Sequence, residues 1–349
     1  MRSAVEQRMA GLLWTRVATG ELALPQAERD LLREEDLRTW GRHRILWDAL
    51  ADLARRLAAM GVEFAVAKGV IAEARWYGRV AERPSSDIDL LVAPHDVGRV
   101  GAVLAELSPQ HRLRGAAQAL VDAGQLQSID LWIGQVPIDL HTDLLKLGIV
   151  GSRQRHLIWE RTRLFPLPSG GTVRVPDAEM SLIHFLLHLN KDSFARLLGF
   201  ADVARICARE KLDWDFIDAF ARREGLAHPL YLTLEVVRST LGLAEPARAA
   251  PGGWRATAWR LLWPPSVRLR GESGRVRFRH RQLWLGLSAP GRTAAALRGL
   301  LRLIFPPPAL LTYFFPRARG PYLLRLAQGR LGEALRRRRS FSALARLTP

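Results

Sequence analysis

One stretch of the chain places two aspartates at the start of an apolar run: Arg83-Pro-Ser-Ser-Asp87-Ile-Asp89-Leu-Leu-Val92. Such a run is typical of a buried β-strand. Because successive strand side chains point to opposite faces, Asp87 and Asp89 should share one face while Ile88 points into the core. Two carboxylates this close raise each other's pKa unless a cation lies between them. The stretch therefore predicts a divalent-metal site, with Mg²⁺ as the expected ion, at the start of a strand.

Length and composition narrow the class of protein. With 349 residues, 48% of them hydrophobic, the chain is long enough for two domains or for one domain with large additions. Its single cysteine, Cys207, excludes an intramolecular disulfide, which suits a reducing cytoplasm. The N-terminal sequence does not resemble a signal peptide, and no uncharged apolar run reaches the length of about 18 residues that a transmembrane helix needs. We therefore expect a cytoplasmic protein.

The order of predicted elements divides the chain into four parts. They are an N-terminal helical segment (1–60), an α/β core (61–175), a helical domain (176–245) and an Arg-rich basic helical tail (254–349). Strands are expected at 62–67, 87–92, 126–133 and 136–141, and long helices at 26–60, 176–190, 193–210, 213–224 and 227–242. A Pro/Gly-rich linker, Pro246–Gly253, should precede the tail. This order predicts an α+β fold, with a small mixed β-sheet, flanking helices and a C-terminal α-helical region.

Two further features accompany the aspartate pair. Lys68-Gly69 follows a predicted strand and opens a helix, where glycine lets backbone N–H groups approach a phosphate and lysine adds a cation. Asp139, in Val136-Pro-Ile-Asp-Leu-His141, is a third carboxylate on an apolar strand. Three carboxylates from adjacent strands can hold two Mg²⁺ ions about 3.5–4 Å apart. One ion would activate an attacking hydroxyl, and the other would neutralise a triphosphate.

These motifs resemble a known superfamily of enzymes. The series Lys68-Gly69, Tyr77, Arg83, Asp87-Ile-Asp89 and Ile138-Asp139-Leu-His141 is similar to the polymerase-β-type nucleotidyltransferases. It is most similar to the bacterial "uncharacterised nucleotidyltransferase" family, a relative of the toxin-like nucleotidyltransferases. That family also carries a helical pattern that reads here His184-x₃-His188-x₂-Lys191-x₄-Arg196-Leu197-x₄-Asp202. The resemblance extends over about residues 45–240.

The resemblance implies a polymerase-β-type nucleotidyltransferase core and a metal-dependent activity. The enzyme would transfer a nucleoside monophosphate from an NTP to a hydroxyl or phosphate acceptor in a bacterial biosynthetic pathway. The implied catalytic residues and metal ligands are Asp87, Asp89 and Asp139, with Mg²⁺ or alternatively Mn²⁺ as the cofactor. The implied nucleotide-binding residues are Lys68, Gly69, Arg83, Ser86, Lys191 and Arg196. Since Lys68-Gly69 replaces the Gly-Ser of the wider superfamily, the contacts to the triphosphate stay open.

Several candidate residues also have a structural interpretation. Asp130, in Ser128-Ile-Asp-Leu-Trp132, competes with Asp139 as the third carboxylate. His184 and His188 lack the glutamate of a zinc-binding HExxH motif and fit packing in a helical core better. Ser86 can cap the turn before the strand. Arg196 and Asp202 can form an ion pair within the helical domain.

The net charge of +18 lies in the C-terminal part of the chain. Residues 251–349 contain 20 arginines, no lysine and two acidic residues. Such a surface fits anionic lipid headgroups or RNA. Because residues 297–303 and 323–335 can form amphipathic helices with arginines on one side, an anionic membrane surface is favoured slightly. The protein would then lie at the inner face of the membrane. Alternatively, the tail is a helical subdomain whose basic face is solvated and binds no partner.

Two other functions compete with a biosynthetic nucleotidyltransferase. One is a toxin-like nucleotidyltransferase that acts on tRNA, with the arginine-rich tail holding the RNA. The other is a non-catalytic, membrane-recruited binding protein with the same fold, although the three carboxylates favour an enzyme. The sequence does not identify the acceptor, the preferred NTP or the oligomeric state.

Overall fold

The computed structural model describes residues 2–109, 113, 115–145, 156–192, 194, 196–242, 252–262 and 293–329. Most of the predicted linker Pro246–Gly253 lies outside the described residues, as do two stretches of the basic tail, 263–292 and 330–349. The fold below therefore refers to the α/β core, the helices that follow it and parts of the tail.

The helices of the described chain fall before, within and after the sheet. They are α1 (Arg2–Glu6), α2 (Ala10–Ala18), α3 (Gln26–Ala59), α4 (Gly69–Trp76), α5 (Val97–Leu107), α6 (Ala117–Asp122), α7 (Leu157–Glu160), α8 (Ala178–Lys191), α9 (Leu197–Arg209), α10 (Trp214–Glu224), α11 (Ala227–Leu241), α12 (Trp254–Leu262), α13 (Thr293–Ile304) and α14 (Pro308–Phe314). Residues 322–329 are also helical. The long helix expected at 26–60 and the four helices expected between 176 and 242 are confirmed, with ends that differ by a few residues.

Six strands of the described chain form one mixed sheet in the order β3-β4-β2-β1-β6-β5. The strands are β1 (Phe64–Ala67), β2 (Ile88–Val92), β3 (Ser128–Ile133), β4 (Val136–His141), β5 (Thr162–Pro166) and β6 (Thr172–Pro176). β2 runs parallel to β4 and antiparallel to β1. The predicted hairpin appears as β3 and β4, and Gly134 between them has φ +56°. The β5–β6 hairpin was not predicted.

The two faces of the sheet pack against different helices. Phe64 and Val66 of β1 join an apolar cluster with α3, α5 and α6, whereas Ala65 and Ala67 join a second cluster with the helices α8–α11. On β2 the same alternation places Ile88 in the first cluster, as predicted. Asp89 therefore lies on the face that meets α8–α11, and the site forms between the sheet and these helices.

Local sequence signals explain where α8 and α10 begin and end. Asp177 caps α8 by accepting a hydrogen bond from the Met180 backbone at 2.9 Å, and Asp213 caps α10 through Phe216 at 2.9 Å. Gly225 ends α10 in the left-handed conformation. Fully burying one large apolar side chain contributes about 1.5–3 kcal/mol. The many such side chains shared by α8–α11 and the sheet therefore fix the helices on the face that carries Asp89.

Parts of the basic tail pack against the rest of the molecule. Ala256 of α12 is buried in the α8–α11 cluster, and Arg260 Nη2 lies 2.9 Å from Glu235 Oε2 of α11. Leu310 and Tyr313 of α14 pack against the cluster on the opposite face of the sheet. Among the residues that the structure describes, no helix combines the length and apolar character needed to cross a membrane.

Candidate active site

Two carboxylates and an imidazole meet where β2 and β4 run side by side. Asp89 of β2 is the register partner of Asp139 of β4, so both side chains lie on one face of the sheet. His141 follows Asp139 by two residues and therefore lies on that face as well. One ligand atom from each of these three residues falls within 4.8 Å of the others. The rival carboxylate Asp130 is opposite Asp139 on β3, but it is exposed and outside this group.

Two basic groups neutralise the carboxylates. Nζ of Lys68 lies 3.0 Å from Oδ1 of Asp89. Nε2 of His141 lies 3.1 Å from the same oxygen and 3.1 Å from Oδ2 of Asp139. Lys68 and His141 thus balance the charge of Asp89 and Asp139 in this structure. Asp87 is half-buried just before β2 and lies outside the group of three.

The pKa values follow from burial and these contacts. Burial alone would raise the pKa of Asp89, but Lys68 and His141 outweigh it and hold that pKa far below its usual range. For Asp139, too, burial is outweighed by His141, and the pKa is lowered. The two carboxylates raise the pKa of His141 against the opposite effect of burial. At Asp87, burial and the nearby Asp89 raise the pKa instead. Asp89, Asp139 and His141 thus favour their charged forms, whereas the raised pKa of Asp87 disfavours its charged form.

The donor set fits a divalent metal ion. Oδ1 of Asp139 and Nδ1 of His141 are buried without a hydrogen-bond partner in the described part of the chain. Buried polar atoms are nearly always paired, so these two atoms indicate an absent ligand. Carboxylate oxygens are the ligands that Mg²⁺ prefers, and imidazole also binds transition metals such as Mn²⁺. The sequence motifs include His141 only as the last residue of Ile138-Asp139-Leu-His141, because a histidine in a strand carries no ligand signal of its own.

The turn at Lys68-Gly69 has an unusual backbone. Lys68, which immediately precedes α4, has φ +45°, and Gly69, the first residue of α4, has φ +49°. A non-glycine residue at positive φ costs about 1–3 kcal/mol and is concentrated at functional sites. A Cβ on Gly69 would lie 3.0 Å from Oγ of Ser85 and 3.2 Å from the carbonyl oxygen of Asp87. Glycine therefore lets this turn pack directly against the loop that carries Asp87.

Replacing Gly69 by alanine should destabilise the protein and weaken NTP binding. An L-residue at positive φ costs about 1–2 kcal/mol, and the contacts to Ser85 and Asp87 add to that cost. Gly61→Ala is the matched control, because Gly61 has φ +63° but nothing within 4 Å of its Cβ position. Urea unfolding and calorimetric NTP titration of both variants measure the effects. Equal losses of stability, with NTP binding unchanged in both, would contradict this role of Gly69.

A buried pair from α3 and α4 holds the loop before β2. Nδ1 of His43 lies 2.8 Å from Oε2 of Glu73, and Nε2 of His43 accepts a hydrogen bond from the Ser85 backbone at 3.0 Å. His43 is 0% exposed and Glu73 3% exposed. Because the loop leads directly into Asp87 and Asp89, this pair positions the carboxylates without touching them.

The variant His43→Ala should lower the free energy of unfolding by about 2–3 kcal/mol, since the Glu73 carboxylate and the Ser85 N–H each lose a buried partner. Denaturant unfolding followed by circular dichroism measures the change. His95→Ala is the control, since the His95 side chain is 81% exposed. A loss in His43→Ala no larger than that of the control would contradict the assignment.

Arg83 joins the loop to the helices. Its Nε and Nη2 lie 2.7 and 2.8 Å from the two carboxylate oxygens of Asp202 on α9, and its Nη1 donates to the carbonyl oxygen of Gly69 at 3.2 Å. The Tyr77 hydroxyl donates to Asp202 at 2.7 Å. Asp202 therefore pairs with Arg83, and not with Arg196. The guanidinium of Arg83 ties the Lys68-Gly69 turn to the helical side of the site.

A cleft of about 220 Å³ opens between the sheet and the helices. The predicted site residues that line it are Lys68, Gly69, Arg83, Ser86, Asp87, Asp89 and Arg196. Two predicted site residues do not line the cleft: Asp139, which lies beside Asp89, and Lys191, which is exposed at the end of α8. Arg8, from the turn between α1 and α2, also lines the cleft. Sequence analysis missed Arg8 because one arginine in a helical N-terminal segment has no distinctive spacing.

The two histidines of α8 differ in their surroundings. His184 is buried, its Nδ1 lies 2.7 Å from the carbonyl oxygen of Leu144, and burial lowers its pKa to about 3. That environment fits the structural interpretation. His188 lines the cleft, and its Nδ1 lies 3.4 Å from Oδ2 of Asp192. His188 thus borders the space open to a substrate, whereas His184 packs behind it.

Comparison with known proteins agrees with this geometry. Residues 1–242 match the model of a family described as uncharacterised nucleotidyltransferase. The chain belongs to this nucleotidyltransferase family. The resemblance found in the sequence motifs is therefore confirmed, and so is the predicted α+β fold class with a mixed sheet, which has six strands in the described chain.

Similarity of this nucleotidyltransferase to other proteins is limited. A crystal structure of an antigenic nucleotidyltransferase-like protein from Paracoccidioides brasiliensis aligns over 56% of this chain and 88% of its own, with 13% identity and a TM-score of 0.37. No curated protein shows significant similarity to the chain. The family membership supports a transferase activity. The substrates and the mechanism must be inferred from the residues of the site.

Proposed function

We propose that this nucleotidyltransferase transfers a nucleoside monophosphate from an NTP to a hydroxyl or phosphate acceptor in a Mg²⁺-dependent reaction. The observation that carries the proposal is the register pairing of Asp89 with Asp139 beside a cleft lined by Lys68, Arg8 and Arg196. Carboxylates for a metal ion and cations for a triphosphate are the two requirements of this reaction. A non-catalytic protein of the same fold would not need both sets of charges.

The residues have separate roles in the proposed reaction. Asp89 and Asp139 would hold the metal ion, with Asp87 as the third carboxylate from the loop. When bound, the ion neutralises the phosphates and lowers the pKa of the attacking hydroxyl. An acceptor oxygen forms a bond to the α-phosphorus, the bond from that phosphorus to the β-phosphate oxygen breaks, and pyrophosphate leaves. The acceptor proton passes to solvent or to a nearby base. The chain supplies mainly positioning and charge neutralisation.

Label transfer tests this proposal. The purified full-length protein is incubated with Mg²⁺ and each α-labelled NTP, together with lipid, RNA and small-molecule fractions of the host. We expect one NTP and one fraction to yield labelled product, and a chelator to stop the reaction. Failure with every NTP and fraction, together with no calorimetric binding of any Mg²⁺–NTP, would refute the proposal. Labelled RNA alone would favour a toxin-like activity on tRNA.

We infer in addition that the basic tail attaches the enzyme to an anionic membrane surface. Leu297, Leu301 and Ile304 form an exposed apolar stripe on α13, and Arg298 and Arg302 adjoin it. Phe305, 56% exposed, follows the helix directly. An apolar stripe beside arginines is typical of helices that lie in a membrane interface. Each arginine near an anionic surface contributes about 1 kcal/mol.

Vesicle flotation of full-length variants tests the membrane surface. The double variant Leu297→Gln and Leu301→Gln should float with phosphatidylglycerol vesicles much less than the wild type does. Leu164→Gln is the control, because Leu164 is 67% exposed on β5, outside the tail. Equal flotation of all three proteins, or equal binding to neutral phosphatidylcholine vesicles, would exclude this attachment. If the protein is retained by RNA but does not float with the vesicles, RNA is the partner of the tail.

A further inference from the structure

The N-terminal turn is fastened to the helical side of the cleft. Gln7 accepts two hydrogen bonds from the start of α9: its side-chain Oε1 accepts from the Leu197 backbone N–H at 2.9 Å, and its carbonyl oxygen accepts from the Leu198 backbone N–H at 3.4 Å. Gln7 thus satisfies free N–H groups in the first turn of α9. The next residue, Arg8, has φ +58°. This left-handed backbone is costly for arginine, and residues with such a backbone are concentrated at functional sites.

Arg8 lines the cleft together with a second arginine, Arg196, which immediately precedes α9. Neither side chain has a hydrogen bond or an ion pair with any other described residue. Three arginines of the described chain that are buried or partly buried have carboxylate partners: Arg83 pairs with Asp202, Arg79 with Asp36 and Arg75 with Glu210. The cleft therefore contains two guanidinium groups whose charge is not neutralised by a direct contact.

The two arginines influence each other. Burial lowers the pKa of Arg8, and the largest contribution from a neighbouring charge is the repulsion by Arg196. The charge of Asp87 acts in the opposite direction and raises the pKa of Arg8, although the two residues form no ion pair. On the helical side, Asp192 also faces the cleft, next to His188. Two cations held this close repel each other, and an anion bound between them would relieve that repulsion.

The geometry points to Arg8 as a triphosphate-binding residue that acts with Arg196 from the helical side of the cleft. This inference rests on the proposed function, since the anion is the triphosphate of the NTP. Guanidinium groups bind phosphate oxygens through paired, charge-assisted hydrogen bonds. The proximity of Arg8 to Asp87 favours the triphosphate over a phosphate on the acceptor, because the triphosphate must lie next to the metal-binding carboxylates. The N-terminal turn then forms part of the nucleotide site.

Calorimetric titration with inorganic tripolyphosphate and Mg²⁺ tests this role, because tripolyphosphate imitates the triphosphate group that every NTP carries. In the full-length protein, Arg8→Gln and Arg196→Gln should each weaken binding by about tenfold or more, as expected for a lost charge-assisted contact. The double variant should lose less than the product of the two factors, since both residues hold one anion. Arg16→Gln on α2 is the control, because Arg16 is exposed and pairs with Glu21. Its binding should equal that of the wild type.

Thermal unfolding without ligand separates binding from folding. Removal of a repelled cation should leave the midpoint of Arg8→Gln equal to or above that of the wild type. A clearly lower midpoint would mean that Arg8 stabilises the fold, and it would overturn the inference. Arg8→Lys, which keeps the charge, should recover part of the tripolyphosphate affinity.

The outcomes distinguish this inference from the proposed function. If the wild type binds Mg²⁺–NTP and Arg8→Gln binds tripolyphosphate equally well, Arg8 has no such role and the enzyme proposal stands. If the wild type binds NTP and tripolyphosphate at the same time, the arginines hold a different phosphate, and the triphosphate assignment is overturned. If the wild type binds no NTP and transfers no label, the proposed function fails and this inference fails with it.

Discussion

Replacing Asp89 by asparagine should lower the rate of nucleotidyl transfer by about 10³-fold or more. Asp89 is 4% exposed, and its Oδ1 lies between Nζ of Lys68 and Nε2 of His141. Asparagine preserves the shape but removes the charge that would hold the metal ion. A catalytic metal supplies several kcal/mol of transition-state stabilisation, and each 1.4 kcal/mol or so is a factor of ten in rate. The initial rate of label transfer at saturating Mg²⁺ measures the effect.

The control for this variant is Asp130→Asn. Asp130 lies opposite Asp139 in the β3–β4 pair, so the two variants change the same kind of side chain on the same face of the sheet. Because Asp130 is exposed and outside the group of metal-ligand atoms, its variant should keep the wild-type rate. Comparable losses in both variants, or a wild-type rate in Asp89→Asn, would contradict the assignment of Asp89.

A loss of activity through unfolding is tested separately. Asp89→Asn leaves Lys68 and His141 without their shared carboxylate, so the unliganded variant should be less stable than the wild type. A ligand that binds only the folded state raises its stability. Mg²⁺–NTP should therefore raise the thermal midpoint of the wild type and of Asp130→Asn, and leave that of Asp89→Asn unchanged. A midpoint shift of wild-type size in Asp89→Asn would show that the carboxylate is not needed for metal–nucleotide binding.

The strand that carries Asp89 could be predicted because its signal is local. Ile88 and Asp89 alternate between the two faces of the sheet as the sequence indicates, and the apolar run ends where β2 ends. The hairpin of β5 and β6 was missed for the opposite reason. β5 is an edge strand with exposed residues such as Leu164, so it lacks an apolar alternation. Gly170-Gly171, both at positive φ, was the available turn signal.

The contacts that complete the site depend on long-range packing, which no local pattern encodes. His141 binds the carboxylates only because β4 pairs with β2 in a register that aligns Asp139 with Asp89. Arg8 reaches the cleft only because Gln7 caps a helix that begins at Leu197. Asp202 had an expected partner in Arg196, six residues earlier, but its partner is Arg83 in a distant loop. Sequence identified the residue types of the site better than their pairing.

The pairing of Arg83 with Asp202 leads to the largest expected effect on stability. Asp202→Asn should lower the free energy of unfolding by about 3–5 kcal/mol, because a buried cation loses its counter-charge. Arg83 is 7% exposed and Asp202 2% exposed, so water cannot replace the carboxylate. The asparagine amide would also bring donor hydrogens towards donors of Arg83 or Tyr77, which both contact Asp202 now. Urea unfolding of the full-length protein measures the difference.

Asp215→Asn is the control for this variant, since Asp215 is exposed in the first turn of α10. Its effect on the free energy of unfolding should stay within about 0.5 kcal/mol.

The double variant Arg83→Met, Asp202→Asn should lose less stability than the sum of the two single variants, because the residues interact directly. Additive losses, or a loss below about 1 kcal/mol in Asp202→Asn, would contradict the buried pair. Nη1 of Arg83 also donates to the Gly69 carbonyl oxygen, so an intact pair couples α9 to the Lys68-Gly69 turn. If this turn binds the nucleotide as proposed, loss of the pair should weaken NTP binding even in molecules that stay folded.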